Sequence, residues 1–123
     1  MPHLFVDVSS HGFGHLAQVA PIVNEISRLL PGLRLTVRCG LPTERLRARI
    51  TCPFGHIAEC SDFGFVMLDA VRLDLDATAA AYRAWHADWR GRVDDEAEKL
   101  RRLAPDLLLT DVAYLPLAGA ALA

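Results

Sequence analysis

Val8-Ser9-Ser10-His11-Gly12-Phe13-Gly14-His15 follows the apolar run Leu4-Phe5-Val6-Asp7-Val8 and leads directly into a helical pattern. A strand that empties through a glycine-bearing turn into a helix presents free backbone N–H groups at the helix N-terminus, where anionic or polar ligands bind well. Two imidazoles, His11 and His15, stand in the same turn. Imidazole is the side chain whose ordinary pKa suits proton transfer near neutrality. The stretch therefore predicts an α/β fold with chemistry in its first strand-to-helix turn.

Working outward, Leu4 to Val8 reads as a buried first strand, being short and almost wholly apolar. Val19, Ile22, Val23, Ile26, Leu29 and Leu30 recur at helical steps. Pro21 fits best in a first turn, which predicts that the regular helix begins near Gln18. Pro31-Gly32 closes it. Leu33 to Cys39 alternates, predicting a second strand with Arg34, Thr36 and Arg38 on an exposed face. A short arginine-rich helix over 43–50 and a third strand over 54–60 follow. Residues 62–73 read as irregular. Leu75, Ala79, Tyr82, Trp85, Trp89, Val93, Ala97, Leu100 and Leu103 then trace one long helical stripe, with Gly91 as the expected point of division. Leu107-Leu108-Leu109-Thr110 is a further apolar strand with Asp111 at its carboxyl end. This alternation is that of a parallel sheet with helices on both faces. Right-handed crossovers place all strand carboxyl ends on one edge, where such sheets bind ligands. His11, Gly12, Gly14, His15 and Asp111 all map to that edge.

Composition narrows the function. The 123 residues suffice for one domain, here residues 1–123. With 13 basic against 15 acidic residues, the net charge of −2 offers no electrostatic case for nucleic acid. No apolar run approaches the roughly 20 residues that span a bilayer. Met1-Pro2-His3 lacks the basic start and apolar stretch of a secretory signal, so a cytoplasmic location is expected. The arginines Arg34, Arg38, Arg45, Arg47 and Arg49 allow either peripheral contact with anionic lipid or a solvated face; the solvated face is expected. The last residues, Leu115 to Ala123, form an apolar segment without a charged cap, which is expected of a fragment of a longer protein.

Cys39, Cys52 and Cys60 are expected as free thiols. Cys52, His56 and Cys60 are four residues apart, but Pro53 and Gly55 argue against the helix that would gather them. In an extended chain, His56 and Cys60 stand about 13 Å apart, so this spacing does not predict zinc.

His15 is the candidate base, and Asp111 is the candidate carboxylate on its far ring nitrogen, fixing the tautomer and stabilising the imidazolium. The alternative is that each merely caps a helix. Ser10, His11, Gly12, Phe13 and Gly14 are candidate substrate-binding residues of the same loop. Gly12-Phe13-Gly14 is not the dinucleotide fingerprint: Ala17 holds the third glycine's place, and Arg38, Cys39 and Gly40 stand where an acidic residue belongs. Neither Ser9 nor Ser10 has a nucleophile elbow around it. Asp74 and Asp76 are expected to cap and complement a helix N-terminus. Trp85 and Trp89 are expected in or at the edge of the core, with a sugar-stacking platform as the alternative.

Ser10-His11-Gly12-Phe13-Gly14-His15-Leu16 after a first strand resembles the opening of glycosyltransferases of the GT-B fold, with two facing Rossmann-like domains. The resemblance is to the subgroup whose first domain begins His-Gly-Phe-Gly-His, some members of which are fused to an arabinokinase-like sugar kinase. Pro105 to Asp111 and the helical stretch 77–103 also resemble that subgroup. The resemblance implies an acceptor-side N-terminal Rossmann-like domain, with the donor-binding C-terminal domain beyond Ala123. It implies transfer of a sugar from a nucleotide-sugar donor to an acceptor hydroxyl, with His15 as base and Asp111 as its partner. It implies no metal and no cofactor beyond the donor co-substrate. The second histidine, His11, departs from the pattern and leaves the choice of base between the two open. Alternatives are a substrate-handling domain of a sugar kinase fusion and a non-catalytic α/β binding module.

Overall fold

The computed structural model describes all 123 residues. The elements run β1 (His3–Asp7), α1 (Gly14–Leu29), β2 (Arg34–Arg38), α2 (Thr43–Arg47), β3 (Gly55–Ile57), α3 (Leu75–His86), α4 (Trp89–Leu103), β4 (Leu107–Thr110) and α5 (Leu115–Leu122). The four strands form one all-parallel sheet in the order β3-β2-β1-β4. This is the α/β, Rossmann-like architecture the alternation predicts. β4 lies beside β1, with Asp7 opposite Thr110, so Asp111 leaves the sheet next to the loop that follows β1.

One face of the sheet is apolar. Leu4, Val6 and Val8 of the first strand and its exit, with Leu35, Val37 and Cys39, pack against Leu16, Val19, Ala20 and Val23 of α1 and against Leu46 and Ile50. Each fully buried aliphatic side chain there contributes about 1.5–3 kcal/mol. That burial carries α1 through Pro21. The helix begins at Gly14, not near Gln18, and Pro21 stands inside it. The missing proline N–H costs one hydrogen bond, which the buried Leu16, Val19 and Ala20 on the preceding turn offset.

The opposite face is polar and still buried. The alternation in β2 predicts an exposed face, but only Arg34 is exposed; Thr36 and Arg38 are buried, Thr36 against His3 and Arg38 against Glu96 of α4. Arg38 is 3% exposed and lies between two carboxylates that are equally covered. Its Nε donates to Asp7 Oδ2 at 2.7 Å, and its Nη1 donates to Glu96 Oε2 at 2.9 Å. Its guanidinium also sits 5.2 Å from the Phe5 ring centre. Ser61 Oγ donates to Asp7 Oδ1 at 2.7 Å, which pins the segment after β3 to the end of β1. Gly119 of α5 packs so close to Glu96 that a Cβ there would stand 2.5 Å from its Cγ. Arg45, Arg47 and Arg49 are exposed, as expected.

The long helical stripe is two helices, and the division falls at Ala87-Asp88 rather than at Gly91. Asp88 caps α4, its Oδ1 accepting from Gly91 N–H at 3.2 Å, and the glycine leaves room for that carboxylate. Asp74 caps α3 by accepting from Ala77 N–H at 2.9 Å, as expected. Trp85 and Trp89 are half-buried, in an aromatic cluster with Phe63, Tyr82, His86 and Tyr114. Residues 58–74 are irregular apart from one antiparallel bridge between Met67 and Leu73. No helix is long and apolar enough to cross a membrane.

Two carboxylates share one guanidinium, which leaves an excess buried negative charge. Burial accordingly pushes the Asp7 carboxyl above its usual range, against the opposing pull of Arg38 and Ser61. The unfolded chain releases that proton near 3.8, and the folded chain releases it only at higher pH. The folded state thus binds more protons in between, and the Asp7 contribution to stability falls as pH rises through that interval. Urea midpoints measured against pH are expected to show this fall in the wild type relative to Asp7→Asn. Glu96→Ala, which strips the guanidinium of one partner, is expected to cost about 3–5 kcal/mol. A loss below about 1 kcal/mol, the range of an exposed pair, would contradict the account.

Candidate functional site

The turn between β1 and α1 needs glycine at one position. Gly12 has φ +93°, a conformation that L side chains rarely adopt, whereas Gly14 is simply the first residue of α1. The bend sends the chain from the buried Ser9 outward through His11 and back into α1 at His15. His15 then faces the end of β4. Its Nδ1 lies 2.8 Å from Asp111 Oδ2, with the imidazole side chain 31% exposed and the carboxylate 11% exposed. Oδ2 has no aligned donor, so the contact is a close charge approach off the line of an ideal ring N–H bond. Asp111 Oδ1 is held separately, accepting from Ser9 N–H at 3.2 Å.

Neither residue serves as a helix cap. The N-cap of α1 is Phe13 and that of α5 is Tyr114, both without a side-chain capping bond. The imidazole and the carboxylate therefore meet one another rather than the helix ends. Asp111 takes Nδ1, which leaves Nε2 as the free ring nitrogen.

A cavity of about 430 Å³ opens beside this pair. His15, His11 and Ser9 line it with Asp62, Phe63, Gly64, Phe65, Val112 and Tyr114. Its lining is largely apolar, with the two imidazoles, Asp62 and the Tyr114 phenol as its ionisable groups, the composition of a small-molecule site. Tyr114 Oη lies 2.6 Å from His86 Nε2, and burial pushes its phenol up, so it stays protonated. The remaining loop residues lie elsewhere. Ser10 Oγ accepts from Gly40 N–H at 2.6 Å and so ties the loop to the end of β2. Phe13 is exposed beneath the Arg45 guanidinium, 5.1 Å from its ring centre. Gly12, Phe13, Gly14 and Ser10 shape the turn but do not line the cavity.

Sequence reasoning misses Asp62 and the structural part of Ser9, and it weighs Cys60 with Cys52 and His56 rather than with His11. Ser9 Oγ donates to Asp62 Oδ2 at 2.8 Å while its N–H serves Asp111, so one buried residue holds both carboxylates. Asp62 Oδ1 in turn lies 3.4 Å from His11 Nε2. All three cysteines are free thiols, as expected. His56 is fully engaged, with Nδ1 at 2.8 Å from Thr43 Oγ1 and Nε2 at 2.8 Å from Cys39 O. Cys60 turns instead toward His11 and Asp62. Burial pushes both the Cys39 and the Cys60 thiols up, so neither is a ready nucleophile.

Nothing stands within 4 Å of a Cβ built on Gly12, so Gly12→Ala meets conformational strain alone. It is expected to cost about 1–2 kcal/mol in denaturant unfolding. An unchanged midpoint would mean that the turn relaxes to negative φ. No protein-family model, curated protein or solved structure matches the chain, so the case for function rests on this geometry.

Proposed function

We propose that the chain is the acceptor-side domain of a glycosyltransferase of the GT-B kind, transferring a sugar from a nucleotide-sugar donor to an acceptor hydroxyl. The observation that carries the reading is the approach of His15 Nδ1 to Asp111 Oδ2 at 2.8 Å, at the wall of a cavity on the carboxyl edge of a parallel sheet. In this reading, His15 Nε2 accepts the proton of an acceptor hydroxyl held in the cavity. The alkoxide-like oxygen forms the new bond to the anomeric carbon. The bond from that carbon to the donor phosphate breaks, and the electron pair leaves with the nucleotide. Asp111 offsets the positive charge that builds on the imidazole. The donor site belongs to a second domain and is itself part of the proposal.

The pairing favours His15 over His11 as the base, because His15 Nδ1 approaches Asp111 at 2.8 Å, whereas His11 Nε2 stands 3.4 Å from Asp62 and shares that oxygen with Cys60. Phe63, Phe65, Val112 and Tyr114 supply apolar surface for the body of an acceptor around its reacting hydroxyl. A non-catalytic α/β module predicts the imidazole and the carboxylate apart or locked in ordinary structural bonds. Their contact at a cavity wall favours chemistry instead.

The test is turnover by the full-length protein with a panel of nucleotide sugars. His15→Ala is expected to lower kcat by about 10²–10⁴-fold, the usual weight of a general base. Asp111→Asn is expected to lower kcat with KM for the acceptor little changed. Near-wild-type turnover in His15→Ala removes it as the base.

A further inference from the structure

Three side chains of different chemistry converge where the β1–α1 loop meets the segment after β3. Cys60 Sγ lies 3.9 Å from His11 Nε2 and 3.2 Å from Asp62 Oδ1, and His11 Nε2 lies 3.4 Å from the same oxygen. A tetrahedral zinc ion with Zn–S near 2.3 Å and Zn–N and Zn–O near 2.0–2.2 Å sets ligand–ligand edges of roughly 3.3–3.6 Å. The three separations bracket that range. An ion pair alone does not call for a thiol at the third corner.

We propose that His11, Cys60 and Asp62 form a binding site for a divalent transition metal of the zinc type. The donor set is one imidazole nitrogen, one sulfur and one carboxylate oxygen. Sulfur and nitrogen select against magnesium and calcium, and the carboxylate selects against copper(I). Three protein ligands leave a fourth position open, the arrangement of zinc sites that accept water or a substrate oxygen. Two of the ligands, His11 and Asp62, line the cavity that His15 also lines, so that position opens toward the cavity.

The surroundings hold the donors in place. Ser9 Oγ binds the other oxygen of Asp62 at 2.8 Å, which leaves Oδ1 turned to the site. Ser61, between the two ligands of its own segment, is anchored to Asp7 at 2.7 Å. The His11 ring lies flush on Gly64, where a Cβ would come within 2.3 Å of Nδ1. The thiol at present donates toward Asp62 O and Oδ1, both at 3.2 Å. On binding, the metal replaces the thiol proton, which is released to solvent. The ion would clip the exposed side of the turn, His11, to the wall that carries Asp62, 51 residues further along the chain.

The experiment is titration of the reduced chain with cobalt(II) and then zinc(II), followed by absorption spectroscopy and calorimetry. One cobalt per chain is expected, with a thiolate-to-metal charge-transfer band and the intense d–d bands of a tetrahedral site, all displaced by zinc. Cys60→Ser is expected to abolish the charge-transfer band. His11→Ala, a change at an exposed ring, is expected to weaken binding by more than about 100-fold, beyond the loss of a supporting partner. Gly64→Ala keeps all three ligands but displaces the ring, and is expected to weaken binding by about 10–100-fold. Cys52→Ser is expected to change nothing. Absence of a thiolate band, or a band that survives Cys60→Ser and disappears with Cys52→Ser, overturns the proposal. The titration reads metal and not turnover, so its outcome is independent of whether His15 acts as a base.

Discussion

A single buried guanidinium holds the working edge of this domain together. Arg38 ends β2, and its partners Asp7 and Glu96 come from the end of β1 and the middle of α4. An ionic group so deeply covered is tolerated only when its donors are met, because the cost of removing it from water is several kcal/mol. The requirement fixes how α4 lies on the polar face of the sheet. Through Asp7 and Ser61 it also anchors the segment that carries Asp62 into the cavity wall. Removing either carboxylate therefore reaches the site as well as the core.

Ser9 couples that wall to the opposite one. Its backbone N–H holds Asp111 and its hydroxyl holds Asp62, at 3.2 and 2.8 Å. Each carboxylate faces an imidazole, Asp111 facing His15 and Asp62 facing His11. Two imidazole–carboxylate pairs thus share one buried hinge residue. The arrangement follows from parallel pairing: β1 and β4 end at the same level, and β2 and β3 end beside them. Loops that are far apart in the chain open onto one rim, as in other open parallel sheets.

The strands and the His15–Asp111 pair were legible because each is signalled locally. An apolar tetrad such as Leu107 to Thr110 reads as a parallel strand, and a polar residue at its carboxyl end maps to the rim. The buried charge cluster was not legible. Arg38 sits in an alternating strand, which reads as one exposed face. Glu96 lies three residues after Val93 and four before Leu100, on the buried stripe, but its partner is on another element. The sequence points to Gly91 for a break that falls at Asp88, because glycine's low helix propensity is a stronger local signal than a capping aspartate within a run of charges. The His11–Cys60–Asp62 cluster was hidden for a different reason. Metal spacing in a sequence is visible only when the ligands share an element, and here 49 residues separate His11 from Cys60. The four-residue spacing that was visible, Cys52 to His56 to Cys60, leads instead to a histidine whose two nitrogens are already taken.

The most direct measurement on the central claim is the tautomer of His15, read by long-range proton–nitrogen correlation NMR on the neutral ring. A carboxylate oxygen 2.8 Å from Nδ1 favours the proton on that nitrogen and leaves Nε2 with its free pair. The spectrum is predicted to show the Nδ1–H form in the wild type and to lose that preference in Asp111→Ala. A wild-type ring protonated on Nε2 would contradict the account, since the nitrogen proposed to accept the proton would then have no free pair.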